Sequence, residues 1–406
     1  MSGNGLAQII GLVIITIITP YFEPSEMGVL GMYLAIAGWI GVIAALRYDL
    51  AIMLPKSNDD AKRLVKISIK YSLIVAIIAA IPIYIFNYDI AVLLNSDNQF
   101  DSQELANWFY LIPISIFLYG FNAALTTWQT RKKKYSTVSA ASVGRAVSTG
   151  GTNLTAAFAK LGSGGLIGAA LLGQLVNGII LAAKGLKEVL ATPSPAEDRK
   201  RLMKEYKDFP LKSGPAIFLN LSANQLPTLL IGGWFGAAVA GQFYIMQRIL
   251  TLPLTFIGKA FSQVFYQKSN EIINNGGSVR PLVAKTTLRL FAIITIPMLV
   301  LFFFGDSIFE LVLGSKYKEA GGIGALFSVF YLFRFVFSAQ STLLTTKRKL
   351  TTEIIFNASF LVTQVGSLWY GHHINDYNFA FQLMAVSGAA LFLILGVLIF
   401  KYAGDK

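Results

Sequence analysis

Residues 213–247 read SGPAIFLNLSANQLPTLLIGGWFGAAVAGQFYIMQ, a run of 35 positions without a single Asp, Glu, Lys or Arg. A membrane helix needs about 20 mostly apolar residues, each advancing roughly 1.5 Å across a core near 30 Å. The run is too long for one span, and Gly232-Gly233-Trp234-Phe235-Gly236 interrupts its middle. It predicts one helix, a tight outer turn, and a second helix continuing to about residue 258.

Further uncharged runs occur at 1–22, 27–46, 71–88, 105–130, 161–183, 354–375 and 377–400. Three more spans emerge at 137–159, 283–304 and 320–346 once a single Arg or a shorter run is accepted. The expected count is twelve. Composition agrees: 54% of the 406 residues are apolar and only 14% charged, and mean hydropathy is +0.59. Ordinary globular domains carry about 25% charged residues, so too little polar surface remains to cover a water-soluble particle. The expected class is an all-α polytopic membrane protein. The first ten residues have no basic n-region and no small-residue cleavage site follows, so a removable signal peptide is not expected.

Charge sets the expected topology. The segments 47–70, 129–137, 184–212, 259–289, 346–350 and 401–406 together hold 28 of the 34 Lys and Arg residues. The opposite loops hold only Lys160, Lys316 and Lys318, while segment 87–107 carries Asp89, Asp97, Asp101 and Glu104 with no base. By the positive-inside rule both termini are cytoplasmic. This placement also accounts for the net charge of +13 without nucleic acid. The runs Arg131–Lys134 and Lys347–Lys349 read as stops against translocation, the other reading being a lipid-headgroup or partner site. Residues 195–209 are polar and helix-prone, with Leu202, Tyr206 and Phe209 on one side. They predict a short helix at the cytoplasmic interface.

The two halves echo one another. Gln8 and Gln225 are 217 residues apart, and Gly28 and Gly241 are 213 apart. The ends of the fourth and tenth spans, at Thr130 and Thr346, are separated by 216, as are Phe121 and Phe337. Such an offset points to a six-plus-six duplication, with residues 1–189 as one six-helix bundle, 190–210 as a cytoplasmic linker and 211–406 as the other bundle. With an even span number in each half, a pseudo-two-fold axis along the membrane normal relates them, an architecture that serves alternating access.

Several chemistries are excluded. The chain has no Cys and only two His, the adjacent His372 and His373, so disulfides, thiolate metal sites and Cys nucleophiles are absent. No Walker motif and no dinucleotide fingerprint occurs. No catalytic residues, metal or cofactor are expected, and coupling to H+ or Na+ stays open. No Asp or Glu falls in the middle of an expected span, which argues against a cation-coupled drug antiporter. A membrane glycosyltransferase or sugar polymerase would call for a large polar loop with acidic residues; a non-transport membrane component of glycan assembly stays the alternative to a transporter.

Three stretches resemble polysaccharide flippases of the Wzx (O-antigen) type within the multidrug/oligosaccharidyl-lipid/polysaccharide (MOP) exporter superfamily. The first runs from Ala7-Gln8 through Tyr21-Phe-Glu-Pro-Ser-Glu-Met-Gly28. The second is Leu46-Arg47-Tyr48-Asp49 through Pro55-Lys56, with Asp49 where the family more often has Glu. The third extends from Tyr206 through Pro210, Leu226-Pro227, Gly241 and Arg248–Pro253 to Gln263–Gln267. The resemblance implies a V-shaped pair of six-helix bundles in a bacterial inner membrane. It implies transfer of a polyprenyl (undecaprenyl) diphosphate-linked oligosaccharide to the outer leaflet for lipopolysaccharide or other surface polysaccharide biosynthesis. Polymerase and chain-length proteins of the same pathway are implied partners.

The residues themselves suggest a site. Arg145, Arg248 and Arg334 lie inside expected spans. An arginine at the bilayer centre costs about 2.5–3.5 kcal/mol on insertion scales. No acid shares their depth; backbone carbonyls or amides could satisfy any one guanidinium, and for all three together a wetted cationic central cavity for an anionic substrate is expected. Gln8, Asn224 and Gln225 are candidate polar cavity residues, and most other span amides read as interhelical hydrogen bonds. Arg47 and Asp49 cannot pair along one helix face; they read as tying neighbouring elements together or as a substrate or gating contact. Pro82, Pro113, Pro215, Pro227, Pro253 and Pro297 are expected to shape or hinge their helices, and Trp39, Trp128, Trp234 and Trp369 to form interfacial belts.

Overall fold

A computed structural model of the chain describes residues 2–94, 102–347 and 349–404. Asp97, Asp101, Arg348 and Lys406, used in the charge argument, lie outside the described residues. Among the described residues all regular structure is helical. The helices are α1 Ser2–Ile18, α2 Pro24–Gly41, α3 Tyr48–Ala51, α4 Asn58–Leu93, α5 Ser102–Phe109 and α6 Ile112–Arg131. They continue as α7 Tyr135–Phe158, α8 Gly162–Ala183, α9 Leu186–Ala191, α10 Ala196–Glu205, α11 Gly214–Phe235 and α12 Ala237–Asn274. The last are α13 Arg280–Leu313, α14 Lys318–Ser338, α15 Thr342–Thr346, α16 Leu350–His373 and α17 Tyr377–Gly404.

Among the described residues seven segments are long and apolar enough to cross a membrane: Asn58–Leu93, Leu105–Arg131, Gly162–Ala183, Ala237–Asn274, Arg280–Leu313, Ser315–Thr346 and Tyr377–Gly404. The other expected spans are helical but fall short in length or apolarity. Helix α13 shows why these helices need lipid. Leu290, Ile294, Met298, Leu301, Gly305 and Phe309 repeat every three or four residues and are buried, whereas Ile296 and Phe303 on the opposite side are 68% and 69% exposed. A helix apolar all round is stable only in a large core or in a bilayer.

Local chemistry explains the boundaries. The turn expected after Phe235 is made by Gly236 at φ 95°, a left-handed conformation that costs glycine little. Pro24 opens α2 behind a capping box in which the Glu23 amide donates to Glu26 Oε2 at 2.8 Å. This satisfies donors that a helix start leaves orphaned. Ser57 caps α4 by accepting from the Asp59 amide at 3.1 Å.

The structure corrects several expectations. Pro113 and Pro215 occupy first turns, of α6 and α11, where no amide hydrogen is needed. Pro82, Pro227, Pro253 and Pro297 do lie inside helices. Trp128 is fully buried and forms no interfacial belt; its ring packs in a core with Leu64, Val189 and Leu202. Segments 47–70 and 259–289 are largely helical extensions of α4, α12 and α13 rather than loops.

The chain divides into two compact units, Met1–Gly241 and Gln242–Lys406. In the first unit, helix α10 sets Leu202 into the core built by Tyr48, Ile52, Val65 and Trp128. Around it, Arg63 bridges Asp60 at 2.8 Å and Asp198 at 3.1 Å, and Arg201 reaches Asp60 at 2.8 Å. Lys66 Nζ donates to the carbonyls of Leu190 and Thr192 at 3.0 and 2.6 Å, a cation at the C-terminus of α9 where the helix dipole favours one. In the second unit α14 is the central helix. Gln242 Nε2 donates to Lys316 O at 2.7 Å and its Oε1 accepts from Ala320 N at 3.1 Å, which ties the start of α14 to α12.

Candidate functional site

Two helices of the second unit present polar faces at helical spacing. Thr251, Thr255, Lys259 and Ser262 succeed one another along α12, and Tyr331, Arg334 and Ser338 along α14. Intervals of three, four and seven place such residues on one side of a helix. The two faces line a cavity of ≈ 190 Å³ together with Leu254, Gly258, Phe335 and Ala339. One water needs only about 10–15 Å³, so the cavity admits a polyatomic group.

The lining carries two cations, Lys259 and Arg334, and no carboxylate. The Arg334 guanidinium lies 5.6 Å from the Phe330 ring centroid and 5.9 Å from that of Tyr331. Cation–π contact of this kind holds a guanidinium in place within an apolar surround. Tyr331 is buried, while Lys259 and Thr255 are exposed. The Thr251 hydroxyl oxygen is buried beside the Tyr331 hydroxyl. Pro253, two residues on in α12, cannot bond back and frees the carbonyl of Ile249.

The other candidates fall elsewhere. Arg248 stands on α12 with its side chain exposed, outside the cavity lining. Arg145 belongs to the first unit, exposed on α7. Gln8 is half-buried on α1 with its Oε1 unpartnered. Asn224 donates to Asn220 O at 2.8 Å along its own helix, and Gln225 beside it is half-buried. The structure thus gathers Arg334 into a polar cavity and leaves Arg145 and Arg248 as exposed cations on separate units.

Arg47 and Asp49 sit in a tight bend. Leu46 and Arg47 both have positive φ, 47° and 62°, and among the described ion pairs none joins Arg47 to Asp49. Asp49 is 5% exposed, its Oδ1 has no partner, and neither has Arg47 Nε. Burial raises the Asp49 carboxyl above its ordinary range, while the nearby Arg47 charge and the backbone amides of Asp49 and Leu50 act in the opposite direction. Between them Tyr48 packs on Tyr71 at 5.7 Å and reaches Met203 O at 3.4 Å. The bend is held against the linker by this tyrosine.

Lys259, Thr251, Thr255 and Tyr331 were not legible as site residues. Charge counting assigns Lys259 to a loop, and α12 instead carries it in a helix. The available signal was the hydroxyl spacing 251, 255, 262 around that lysine.

Comparison with known proteins fixes the fold. The structure superposes on lipid II flippase MurJ in an inward closed conformation with a TM-score of 0.77 at 13% identity, covering 100% of this chain and 87% of that one. An inward-facing multidrug resistance MATE transporter of the MOP superfamily matches with a TM-score of 0.66 at 14% identity, over 99% of this chain and 93% of that one. A MOP superfamily transporter from Pyrococcus furiosus, described as having reverse polarity of its binding pocket, matches with a TM-score of 0.56 at 14% identity, over 100% and 94%. At these identities the likeness is one of fold. No curated protein matches the chain. The family model described as polysaccharide biosynthesis protein matches residues 17–321. This multi-pass helical chain with a MOP-type fold therefore belongs to the polysaccharide biosynthesis protein family.

Proposed function

We propose that the protein is a flippase that carries a polyprenyl diphosphate-linked oligosaccharide from the cytoplasmic to the outer leaflet of a bacterial cytoplasmic membrane by alternating access. Twelve spans in two six-helix repeats, with both termini cytoplasmic, form the transporter. Arg145, Arg248 and Arg334 contact the anionic part of the substrate, and Gln8, Asn224 and Gln225 serve its hydroxyls. The observation that carries this reading is the presence of cations on apolar helices of a polysaccharide biosynthesis family member, with a two-cation cavity whose lining holds no carboxylate. Intramembrane ionisable residues mark substrate paths by default, and guanidinium forks match phosphate oxygens.

The test is a strain lacking the protein. Lipid-linked glycan should accumulate on the cytoplasmic leaflet while its synthesis continues in membrane extracts. Loss of the lipid-linked unit itself from those extracts would point to an enzyme and remove the transport reading.

A further inference from the structure

We infer that the junction where α6 passes into α7 and α8 into α9 binds the headgroup of an anionic phospholipid, with Lys133, Lys134, Lys184 and Lys187 as its cations. Under the topology proposed above it faces the cytoplasmic leaflet; the binding itself depends neither on that orientation nor on the flippase reading.

Placement is the first argument. Two segments apolar enough to cross a membrane, Leu105–Arg131 and Gly162–Ala183, end here, and α7 starts at Tyr135. The ends are joined: Gln129 Nε2 donates to Leu181 O at 3.1 Å, and Lys134 Nζ to Lys184 O at 3.4 Å. The lysines therefore stand where hydrocarbon gives way to headgroups. Tyr135, next to Lys134, is 58% exposed, and Leu190, three residues after Lys187, is 62% exposed. Lipid covers such apolar groups, whereas a free phosphate leaves them in water.

Charge is the second. Residues 131–134 and 184–187 hold six bases and no acid, and the first turn of α7 has no acid either. Arg131 is spent on backbone carbonyls. Glu188 is taken by Lys132 at 3.3 Å and approached by Lys62 at 4.0 Å. Among the described ion pairs none includes Lys133, Lys184 or Lys187, and all three are exposed. Residues 196–208 differ, with five bases against four acids. The unbalanced charge is local to the helix ends.

The backbone supplies the third. Lys133 N donates to Thr130 O and Lys134 N to Gln129 O, both at 2.9 Å, the paired bonds of a Schellman end. Lys133 accordingly has φ 57°, a left-handed conformation that glycine adopts at less cost. The dipoles of α6 and α8 favour a cation at each C-terminus, and their C-caps, Lys132 and Lys184, supply these. Lys187 stands in the first turn of α9, the end at which a helix disfavours a cation. Neither Lys133 nor Lys187 serves its own backbone, and an external anion accounts for both.

The experiment titrates the full chain, purified in a neutral detergent, with dioctanoyl phosphatidylglycerol, dioctanoyl phosphatidylcholine, glycerol phosphate and a glutamate-rich peptide. Phosphatidylglycerol should raise the unfolding temperature saturably, as a ligand of the folded state does, and phosphatidylcholine should not. Lys133→Gly and Lys187→Gln should each weaken phosphatidylglycerol by about fivefold. Their lipid-free unfolding temperatures should be unchanged or, for Lys133→Gly, higher. Lys200→Gln, on α10, should bind as the parent does. Absence of a saturable shift, or equal shifts from both lipids, overturns the site. A loss in Lys200→Gln equal to that in the two site variants reduces the effect to diffuse charge and also overturns it. A lipid-free Lys133→Gly chain that unfolds several degrees lower makes Lys133 a structural cap and overturns its assignment. Glycerol phosphate or the peptide binding as tightly as phosphatidylglycerol overturns the lipid assignment, in favour of a free phosphate or an acidic protein segment respectively.

Discussion

Gly28 of α2 and Gly241 of α12 meet backbone to backbone. A Cβ added at Gly28 would collide with the Ala237 carbonyl oxygen and stand 3.0 Å from Gly241 N; one added at Gly241 would collide with the Pro24 carbonyl oxygen and stand 2.9 Å from Gly28 N. Small residues let membrane helices approach this closely. Gly28→Ala and Gly241→Ala should each lower stability by about 1–3 kcal/mol, the range for overpacking against atoms that cannot yield. Because both act on one contact, the double variant should lose less than the sum. Thermal unfolding in detergent measures this, and full additivity would show that the two sites act separately.

Arg131 should behave as a structural clamp. Its guanidinium donates to Ile52 O at 3.0 Å, Pro55 O at 2.6 Å and Asn58 Oδ1 at 3.3 Å. Hydrogen bonds to charged groups contribute about 1.5–3 kcal/mol. Lysine cannot reproduce the planar fork, so Arg131→Lys should be destabilised nearly as much as Arg131→Ala. Lys133→Gln, at an exposed neighbour, should stay within about 0.5 kcal/mol of the parent. Equal stability of all three variants would return Arg131 to the role of a topology signal.

Asp49 should make stability depend on pH. Burial raises its carboxyl pKa in the folded chain, so the folded state keeps a proton over a window where the unfolded chain has lost it. Stability from this group is greatest below the ordinary carboxylate value near pH 4 and falls as pH rises through the raised value. Asp49→Asn should therefore melt at or above the parent's temperature at pH 8, with the gain disappearing toward about pH 4. An Asn variant that melts several degrees lower at pH 8 would mean that the charged carboxylate is what the bend requires.

The membrane character and the breaks between helices were legible because they follow from one-dimensional rules. The charge-free 213–247 run and its glycines located the end of α11 at Phe235 and the turn at Gly236. What sequence could not weigh was tertiary competition for polar groups. Trp128 and Leu202, both suited to an interface, are instead buried together, and Arg131 spends its charge on backbone carbonyls. At the site, Arg334 was visible as an isolated charge in an apolar run. Lys259 was not, because the polar stretch that marks a loop also occurs where a helix continues beyond the bilayer. Arg334 also lies closer to the end of its helix than the 320–346 run suggests, since α14 stops at Ser338 and a turn precedes α15.

Orientation has a direct check. The basic residues concentrate on segments that the positive-inside rule assigns to the cytoplasm. A reporter active only outside the cytoplasm, fused after Lys406, should stay silent, and one fused into the Lys316–Lys318 turn should be active. The reverse pattern would invert the topology, and activity at both places would break the even span count.

Arg145 and Arg248 are the sharpest test of transport chemistry. Arg145 lies ten residues into α7 and Arg248 eleven residues into α12, about 15 and 17 Å along their axes at 1.5 Å per residue. Neither is near a helix end from which snorkelling is easy, and both side chains are exposed rather than packed into their own unit. Each costs about 2.5–3.5 kcal/mol on insertion scales, an expense that packing does not require. Alanine at either position should therefore leave the unfolding temperature unchanged or higher while abolishing glycan export from cells in which the variant reaches the membrane. Lysine should restore part of the export where charge alone matters, and none where a fork on phosphate is needed. A structural role predicts the opposite pairing, with stability lost and export falling only in proportion to the amount of folded protein. Wild-type export from well-expressed Arg145→Ala and Arg248→Ala chains would remove both residues from the substrate path.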